Sequence, residues 1–591
     1  MFQSSRIKYQ VPQAARTYDE GRATERDFRG PCLSERFGQA ARRVKLASQR
    51  QRLVCGAAAG LLLTLAFPPF HLAALAWVAP ALMLFATAGA GPRDAFRVGY
   101  AAGLAHYLSS LYWLLHLPFP QTAWLGWLAL SAYCALYPAV WVWVCWELAP
   151  QAKSFRTNEI KPATDQTIGD SPWKSLLTAG WHQRQLWLLL CAMAWVALEL
   201  ARGRLLTGFP WNFLGVSYHQ TLPLVQVASV AGVLGLSFLL AWFSVALLAT
   251  AMSILHRPTA RWGWLGELFL PLVALMLVAG WGFARVVRPE SEVRYLSVAL
   301  VQPSIPQKVK FAPVENTRAF QKVLSLSELA LATKPDLIIW PEAVVPGFLR
   351  YDEKLLATVT GLARTNNVWI LLGADDAERR AEGSEEMNYF NSAFLISPEG
   401  NLAGKYDKRH LVIFGEYVPL ARWLPFLKWL TPIGEGFTPG REAGRLEVRH
   451  PVRGGTLAPL ICFEDLVPGL ARESAEEADI LVNLTNDGWF GTGAQQWQHA
   501  ANAAFRAVET GRPLIRCTNN GLTCWVDAHG RLHETQFGDS PDAHAAGFKT
   551  ARIPIGPRTQ TFYQRHGDWF AWLCVAVTTL GLLRARVSKK D

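Results

Sequence analysis

Three short segments in the second half of this 591-residue chain carry side chains suited to covalent catalysis: Ile338-Ile-Trp-Pro-Glu342, Tyr406-Asp-Lys408-Arg-His-Leu411 and Leu460-Ile-Cys462-Phe-Glu464. They offer a carboxylate, an amine and a thiol, spaced 66 and 54 residues apart. A base, a cation and a nucleophile are what thioester chemistry requires. A free thiol titrates near 8.5 and a free Glu near 4.3, so proton transfer between them is uphill by about 5.7 kcal/mol. Burial would raise the carboxylate and a neighbouring ammonium would lower the thiol, which closes that gap. The same ammonium, with backbone amides, would hold the oxyanion formed when a thiolate attacks a carbonyl. Singly, each residue has a plainer reading: Cys462 as a buried structural thiol, Glu342 as a solvated loop carboxylate, Lys408 as a surface lysine. Only the three together define a reaction.

The elements that must position them lie in the same region. Cys462 ends an apolar, strand-like run and is followed by a turn and a helix, a junction that exposes a side chain beside free backbone N–H groups. Pro341 stops the strand ahead of Glu342 and puts the carboxylate at a strand's mouth. Apolar runs at 295–301, 337–340, 368–372, 457–462, 480–484 and 513–517 alternate with helical patterns near 314–333, 352–366 and 495–510. That alternation predicts one layered α/β domain across 287–565.

Hydrophobic segments flank this domain. The chain is 51% hydrophobic with 25 Trp and only 18% charged residues, a bias toward membrane. Eight apolar segments, roughly 53–69, 72–89, 95–117, 123–148, 186–203, 229–253, 264–285 and 567–584, approach the ~20 residues a bilayer core requires. Basic residues gather on one side of them: Arg42, Arg43, Lys45, Arg50, Arg52, Arg93, Arg97, five within 150–185, Arg257, Arg261, Arg584, Arg586, Lys589 and Lys590. The short loops on the other side carry little beyond Arg202 and Arg204. Both termini are therefore expected in the cytoplasm and 287–565 outside it. The expected units are a disordered basic cytoplasmic tail (1–52), a seven-helix transmembrane region (53–286, with a cytoplasmic loop at 150–185), the catalytic domain (287–565), and an eighth helix with a basic tail (566–591). Glu199, Arg202 and Glu267 fall near span ends, where anchoring at the interface is the expected role of a charge.

The net charge is +12, and residues 1–52 supply +7 of it, with twelve Lys/Arg against five Asp/Glu. Lying just before the first apolar run, that excess reads as a cytoplasmic flank and not as a nucleic-acid surface. The apolar run starts too late for a signal peptide, and the tail is alternatively the product of an upstream start codon. Nine cysteines include no CxxC pair and no zinc spacing with histidine, and HExxH is absent, so neither a metal nor a cofactor is expected. Cys55, Cys134, Cys145 and Cys191 read as small buried thiols. Cys517 and Cys524 read as strand residues in preference to a hairpin disulfide.

The WPE segment, the Y-x-K-x-H-L segment with Phe414-Gly-Glu416-Tyr417 after it, and the C-x-E segment resemble the Glu-Lys-Cys triad of the nitrilase superfamily. Four further segments, Leu65-Ala-Phe-Pro-Pro-Phe70, Leu206-Thr-Gly-Phe-Pro-Trp-Asn212, Thr485-Asn-Asp-Gly-Trp-Phe490 and Arg565-His-Gly-Asp568, resemble the apolipoprotein N-acyltransferase family. The similarity spans roughly 53–584. It implies an inner-membrane enzyme with an αββα nitrilase-like domain inserted between transmembrane helices 7 and 8 and facing the periplasm. It also implies a two-step reaction. Cys462 takes an acyl chain from a phospholipid as a thioester, with Glu342 as general base and Lys408 on the oxyanion. The thioester then acylates the α-amine of a diacylglyceryl-cysteine on an apolipoprotein. Glu416, Glu464, Phe463 and Asn391 fall at supporting positions, and Phe311, Trp489, Trp423 and Trp429 at substrate-contacting ones. Four residues depart from the family pattern: Ser304 for Asn, Phe311 for Trp, Phe463 for Tyr and Ile413 for Pro. No triad member is lost.

Two other readings stand beside this one. A membrane-tethered amidase or nitrilase acting on a small amide would use the same first step, with water in place of the amine. A pseudoenzyme scaffold would have no need of all three triad residues. Eight spans suit lipid-bound substrates better than a soluble amide. The stretch Arg422–Leu430, with two Trp and four further large apolar residues, reads as a lid dipping into the interface or as an ordinary core-packed helix. Nothing in the chain calls for more than a monomer.

Overall fold

The computed structural model describes residues 48–88, 90–150, 176, 179–256, 265–288, 293–307, 313–380, 385–421, 423–426, 436–537 and 542–587. Phe311, Trp429, nearly all of the N-terminal tail and most of the 150–185 loop lie outside them.

Among the described residues twelve strands form two six-stranded sheets. The first holds β1 (Arg294–Gln302), β2 (Leu337–Ile339), β3 (Trp369–Arg379), β4 (Met387–Ile396), β5 (Leu402–Asp407) and, at its far edge, β12 (Gly547–Ile555). The second holds β6 (Leu446–Val448), β7 (Gly455–Ile461), β8 (Ile480–Thr485), β9 (Leu514–Thr518), β10 (Cys524–Val526) and β11 (Leu532–His533). Their orders are β12-β1-β2-β3-β4-β5 and β11-β10-β9-β8-β7-β6. In each sheet three strands run parallel, β1-β2-β3 and β7-β8-β9, and the outer pairings are antiparallel. Parallel strands are covered on both faces, which is why they read as continuous apolar runs.

The pleat sorts side chains into three layers. Leu296, Val298, Leu300 and Ile339 meet Leu457, Ile480, Val482 and Ile515 between the sheets. The intervening Ala299, Val301, Ile338 and Ile370 pack on Phe320 and Val323 of a helix at Pro313–Leu331, and on Val359 and Ala363 of one at Glu353–Asn366. On the far side, Leu460, Leu481 and Leu514 pack on Ala471 (helix Pro468–Ser474) and on Ala503 and Ala507 (helix Ala494–Thr510). The result is the expected αββα sandwich.

The apolar segments outside the sandwich are helical: α1 (Gln49–Leu65), α2 (Ala79–Phe85), α3 (Pro92–Ser110), α4 (Pro120–Glu147), α5 (Trp181–Arg202), α6 (Ala228–His256) and α7 (Leu265–Val286). The sandwich helices follow as α8 (Pro313–Leu331), α9 (Glu353–Asn366), α10 (Pro468–Ser474) and α11 (Ala494–Thr510), and α12 (Trp569–Val587) closes the chain order. Among the described residues α4, α5, α6, α7 and α12 are long and apolar enough to cross a membrane. The segment expected at 72–89 is broken into a 3-10 turn at Ala73–Trp77 and the short α2. α1 and α3 touch backbone to backbone, since a Cβ on Gly60 would stand 2.0 Å from Ala102 O.

The charges at span ends do not act as interface anchors. Glu199, Arg202 and Glu267 are all buried. Glu199 Oε1 accepts the Leu214 N–H at 2.7 Å, and Arg202 donates to Phe209 O and Trp211 O at 3.1 and 2.6 Å. Glu267 accepts from Arg184 Nε at 2.6 Å and Gln185 Nε2 at 3.0 Å. A charge sunk in protein must find partners, and these find backbone groups, an arginine and a glutamine.

Candidate active site

Each of the three residues stands just past the end of a strand, Lys408 and Cys462 directly and Glu342 after two intervening residues. β2 ends at Ile339, the Trp340 N–H still reaches Leu371 O at 2.8 Å, and Pro341 offers no donor, so the chain leaves the sheet at Glu342. The turn lies so close to β3 that a Cβ on Gly373 would stand 2.6 Å from Pro341 O and 2.7 Å from Glu342 Cα. Lys408 follows β5, its N–H donating to Asn391 O at 2.8 Å. Cys462 follows β7 with a left-handed φ of 54°, and Asn483 Nδ2 on β8 holds its carbonyl at 2.9 Å.

These turns converge. Lys408 Nζ donates to Glu416 Oε1 at 2.7 Å and lies 3.8 Å from Glu342 Oε1. Glu342 Oε1 also accepts from Asn391 Nδ2 at 2.8 Å, and Oε2 accepts the Asn486 N–H at 2.9 Å. Asn391 Nδ2 reaches Glu416 Oε1 at 3.3 Å, so one amide bridges two carboxylates. Glu416 Oε2 accepts the Val412 N–H at 2.9 Å.

The electrostatics depart from the sequence expectation. Burial acts to depress the Lys408 ammonium, but Glu416, then Cys462 and Glu342, raise it overall, so it stays a cation. Burial, then Glu342, hold the Cys462 thiol well above its ordinary range, and the opposing pull of Lys408 does not prevail. The expected lowered thiol is therefore absent. Low dielectric and a nearby carboxylate outweigh one ammonium already committed to Glu416. A thiol held this high needs a base to take its proton before it can act as a nucleophile.

Around this centre, Glu464 accepts the backbone N–H groups of Ile461, Arg409 and His410 at 2.7, 2.7 and 3.0 Å and the Tyr406 hydroxyl at 2.9 Å. Burial raises its carboxyl, and these backbone donors oppose that rise. Phe463 is stacked between His410, at 5.9 Å between ring centroids, and Phe209 and Trp211, at 6.3 and 6.4 Å. Trp489 lies in the turn after β8, 6.4 Å from Phe119. Trp423 is 78% exposed, with Phe426 also exposed beside it. Ser304 keeps a local role despite departing from the family pattern, donating its N–H to Asn519 O and its hydroxyl to His544 O. Cys517 and Cys524 are free and buried.

Sequence reasoning missed the amides Asn483 and Asn486 and the buried set Asp465, Asp487, His499 and Arg516. The signal available was a polar residue breaking an apolar run, as Asn483 breaks 480–484 and Arg516 breaks 513–517.

Residues 297–538 match the carbon-nitrogen hydrolase family, and residues 59–246 match the apolipoprotein N-acyltransferase N-terminal domain. A relative in Geobacter metallireducens named apolipoprotein N-acyltransferase is 35% identical over 540 residues, which is 90% of this chain and 94% of its own length. One of the same name in Brucella melitensis biotype 1 is 30% identical over 565 residues, 91% of this chain and 96% of its own. Among solved structures, an amidase from Nesterenkonia sp. aligns with 48% of this chain and 97% of its own at 16% identity and a TM-score of 0.32. The chain belongs to the apolipoprotein N-acyltransferase family.

Proposed function

We propose that this protein transfers an acyl chain from a phospholipid, through a thioester on Cys462, to the α-amine of the diacylglyceryl-cysteine that begins an apolipoprotein. One observation carries this reading beyond a generic amidase. The ring next in the chain to the nucleophile, Phe463, stacks on Phe209 and Trp211, which belong to the segment between α5 and α6. A site walled by the helical region suits a lipid ester; a small water-soluble amide has no use for it.

In the first step Sγ attacks the ester carbonyl while Glu342 takes its proton, forming the C–S bond. Lys408 Nζ holds the oxyanion. Collapse breaks the C–O bond, and Glu342 returns the proton to the departing alkoxide. In the second step the amine attacks the thioester, Glu342 accepts a proton from its nitrogen, the C–S bond breaks and Glu342 passes that proton to the departing sulfur, which restores the thiol. Glu416 and Asn391 keep Lys408 and Glu342 in place, and Glu464 shapes the nucleophile turn. Trp489 and Trp423, with Phe311 and Trp429, contact substrate.

The eight apolar segments serve as eight spans, the one at 72–89 crossing as a broken helix, with the α/β domain between the seventh and eighth, facing the periplasm of a bacterial inner membrane. The unit boundaries are those expected at 52/53, 286/287 and 565/566. No cofactor or nucleic acid takes part, and the working unit is a monomer.

Intact mass of the detergent-purified protein after incubation with phospholipid tests this. A hydroxylamine-sensitive acyl adduct on Cys462 that is discharged by a diacylated lipopeptide amine is the expected result. An adduct discharged only by water, or an unmodified Cys462 in folded protein, moves the assignment to the small-amide hydrolase.

A further inference from the structure

Joined to the nucleophile turn is a closed set of four ionisable side chains that the acyl-transfer steps do not use. His499, on α11, places Nε2 2.8 Å from Asp465 Oδ1 and Nδ1 2.9 Å from Asp487 Oδ1. Arg516, on β9, pairs with Asp465 Oδ2 and lies 3.5 Å from Asp487 Oδ2. None of the four side chains is more than 2% exposed.

Two carboxylates and one guanidinium leave a negative charge uncompensated in a place closed to water. The charges balance when His499 carries both ring protons. Geometry demands the same form. With a single ring proton, one nitrogen lone pair would face a carboxylate oxygen at hydrogen-bond distance.

The ends of this set are the two turns that matter. Asp465 stands three residues after Cys462 in the turn Cys462–Leu466. Asp487 follows Asn486, whose N–H holds Glu342 Oε2 at 2.9 Å. These turns leave the adjacent parallel strands β7 and β8, and β9 beside them supplies the arginine. We propose that Asp465, His499, Asp487 and Arg516 form the positioning device of the acyl-transfer site, with the His499 imidazolium holding the turn of the nucleophile and the turn of the base in register. The proposal rests on Cys462 and Glu342 being that nucleophile and base.

The groups that face His499 are few. Asp465 comes from the nucleophile turn, Asp487 from the turn after β8 and Arg516 from β9. On the side of the apolar helices its ring meets Trp211, at 5.7 Å, which does not titrate. Gln495 on its own helix donates to Asp487 Oδ1 at 3.2 Å. Cys462 and Cys524 are further ionisable neighbours of Arg516. Burial lowers the imidazolium and Asp465 raises it; Arg516 lowers it and Asp487 raises it, with a net rise above the usual histidine value. The device is therefore intact below that raised value and fails as pH climbs past it.

The experiment measures the rate of Cys462 acylation by a diacyl phosphatidylethanolamine against pH, by intact mass, on the full chain in detergent, with circular dichroism and melting as folding controls. His499→Gln should acylate at least tenfold more slowly, because it leaves the buried charge unbalanced. His499→Gln combined with Asp465→Asn restores the balance and should recover at least tenfold over the single variant, with no basic limb due to His499. Asp465→Asn alone removes the larger support for the imidazolium and should move the basic limb down by about one pH unit. A folded His499→Gln with wild-type rate and profile overturns the proposal. So does a folded double variant no faster than the single, or an unmoved limb in Asp465→Asn. Should His499→Gln fail to fold, the limb in Asp465→Asn decides. Should wild-type protein take no acyl chain at all, the acyl-transfer reading fails instead, and iodoacetamide labelling of Cys462 over the same variants and pH range reads the quartet with the same expected order.

Discussion

Cys462 occupies a left-handed backbone conformation that costs a non-glycine residue ~1–3 kcal/mol, and it does so beside a carboxylate that disfavours its ionised form. Both facts separate thiol reactivity from catalysis and make the roles of its neighbours testable in opposite directions. Glu342 raises the thiol, so Glu342→Gln should speed iodoacetamide labelling of Cys462 at pH 8 several-fold while acyl transfer falls by at least a hundredfold. Lys408 lowers the thiol, so Lys408→Met should slow both. Unchanged labelling in Glu342→Gln would remove Glu342 from the surroundings of Cys462. Asn391 satisfies Glu342 and Glu416 with one amide, and Asn391→Asp replaces that donor with a third carboxylate. A loss of one to two orders of magnitude in acylation rate is expected, measured by the same intact-mass assay.

At the scale of the element, the loop after β5 and the turn after β7 are held together by one carboxylate. Glu464 collects three backbone N–H groups and a tyrosine hydroxyl in a buried place. Glu464→Gln presents an amide N–H to donors already facing it and strands at least one of them, at about 1–3 kcal/mol. A lower detergent melting temperature than wild type, with acylation also reduced, is expected; an unchanged melting temperature would mean the clamp is dispensable. The same scale explains which elements could be read in advance. β1, β2, β3, β7, β8 and β9 appeared as apolar runs because parallel strands are buried on both faces. β4, β5, β10 and β12 mix polar and apolar residues, as Lys405 and Asp407 do in β5 and Asn388, Asn391 and Ser392 do in β4, and such strands leave only a weak trace. Helices α9 and α11 matched their patterns to within a residue or two, while 72–89 looked like one span and is broken around a 3-10 turn. Composition cannot register that break.

At the scale of the whole molecule, α11 belongs to two cores at once. Ala503 and Ala507 pack on the second sheet, while Ala501, Phe505 and Val508 join the core of the apolar helices. Gln498 accepts from Trp113 Nε1 and Trp211 Nε1 at 3.2 and 2.8 Å and donates to Pro68 O at 3.0 Å, and Asn502 pairs with Asn212 at 3.2 Å. Thus three of the four segments that carried the family resemblance, around Pro68, Trp211 and Asp487, meet this one helix. The fourth ends in Asp568, which pairs with Arg204 at 2.5 Å. Gln498→Ala would leave two buried indole N–H groups without an acceptor and should cost about 2–4 kcal/mol. The check is a lower detergent melting temperature accompanied by faster hydrogen exchange along 494–510; protection equal to wild type would show the coupling to be weak.

By itself the sequence determined the chemistry on offer, the parallel strands of the sandwich and the apolar helices. Residue type, period and local turn chemistry are short-range properties and survive in a string of letters. Only the tertiary structure decided that burial and Glu342 together outweigh Lys408 at the thiol, that Arg202 and Glu199 hold a loop instead of an interface, and that His499 stands between Asp465 and Asp487. Each of those depends on the dielectric and the neighbours that folding assembles from residues as far apart as Asp465 and Arg516, and no spacing rule encodes them.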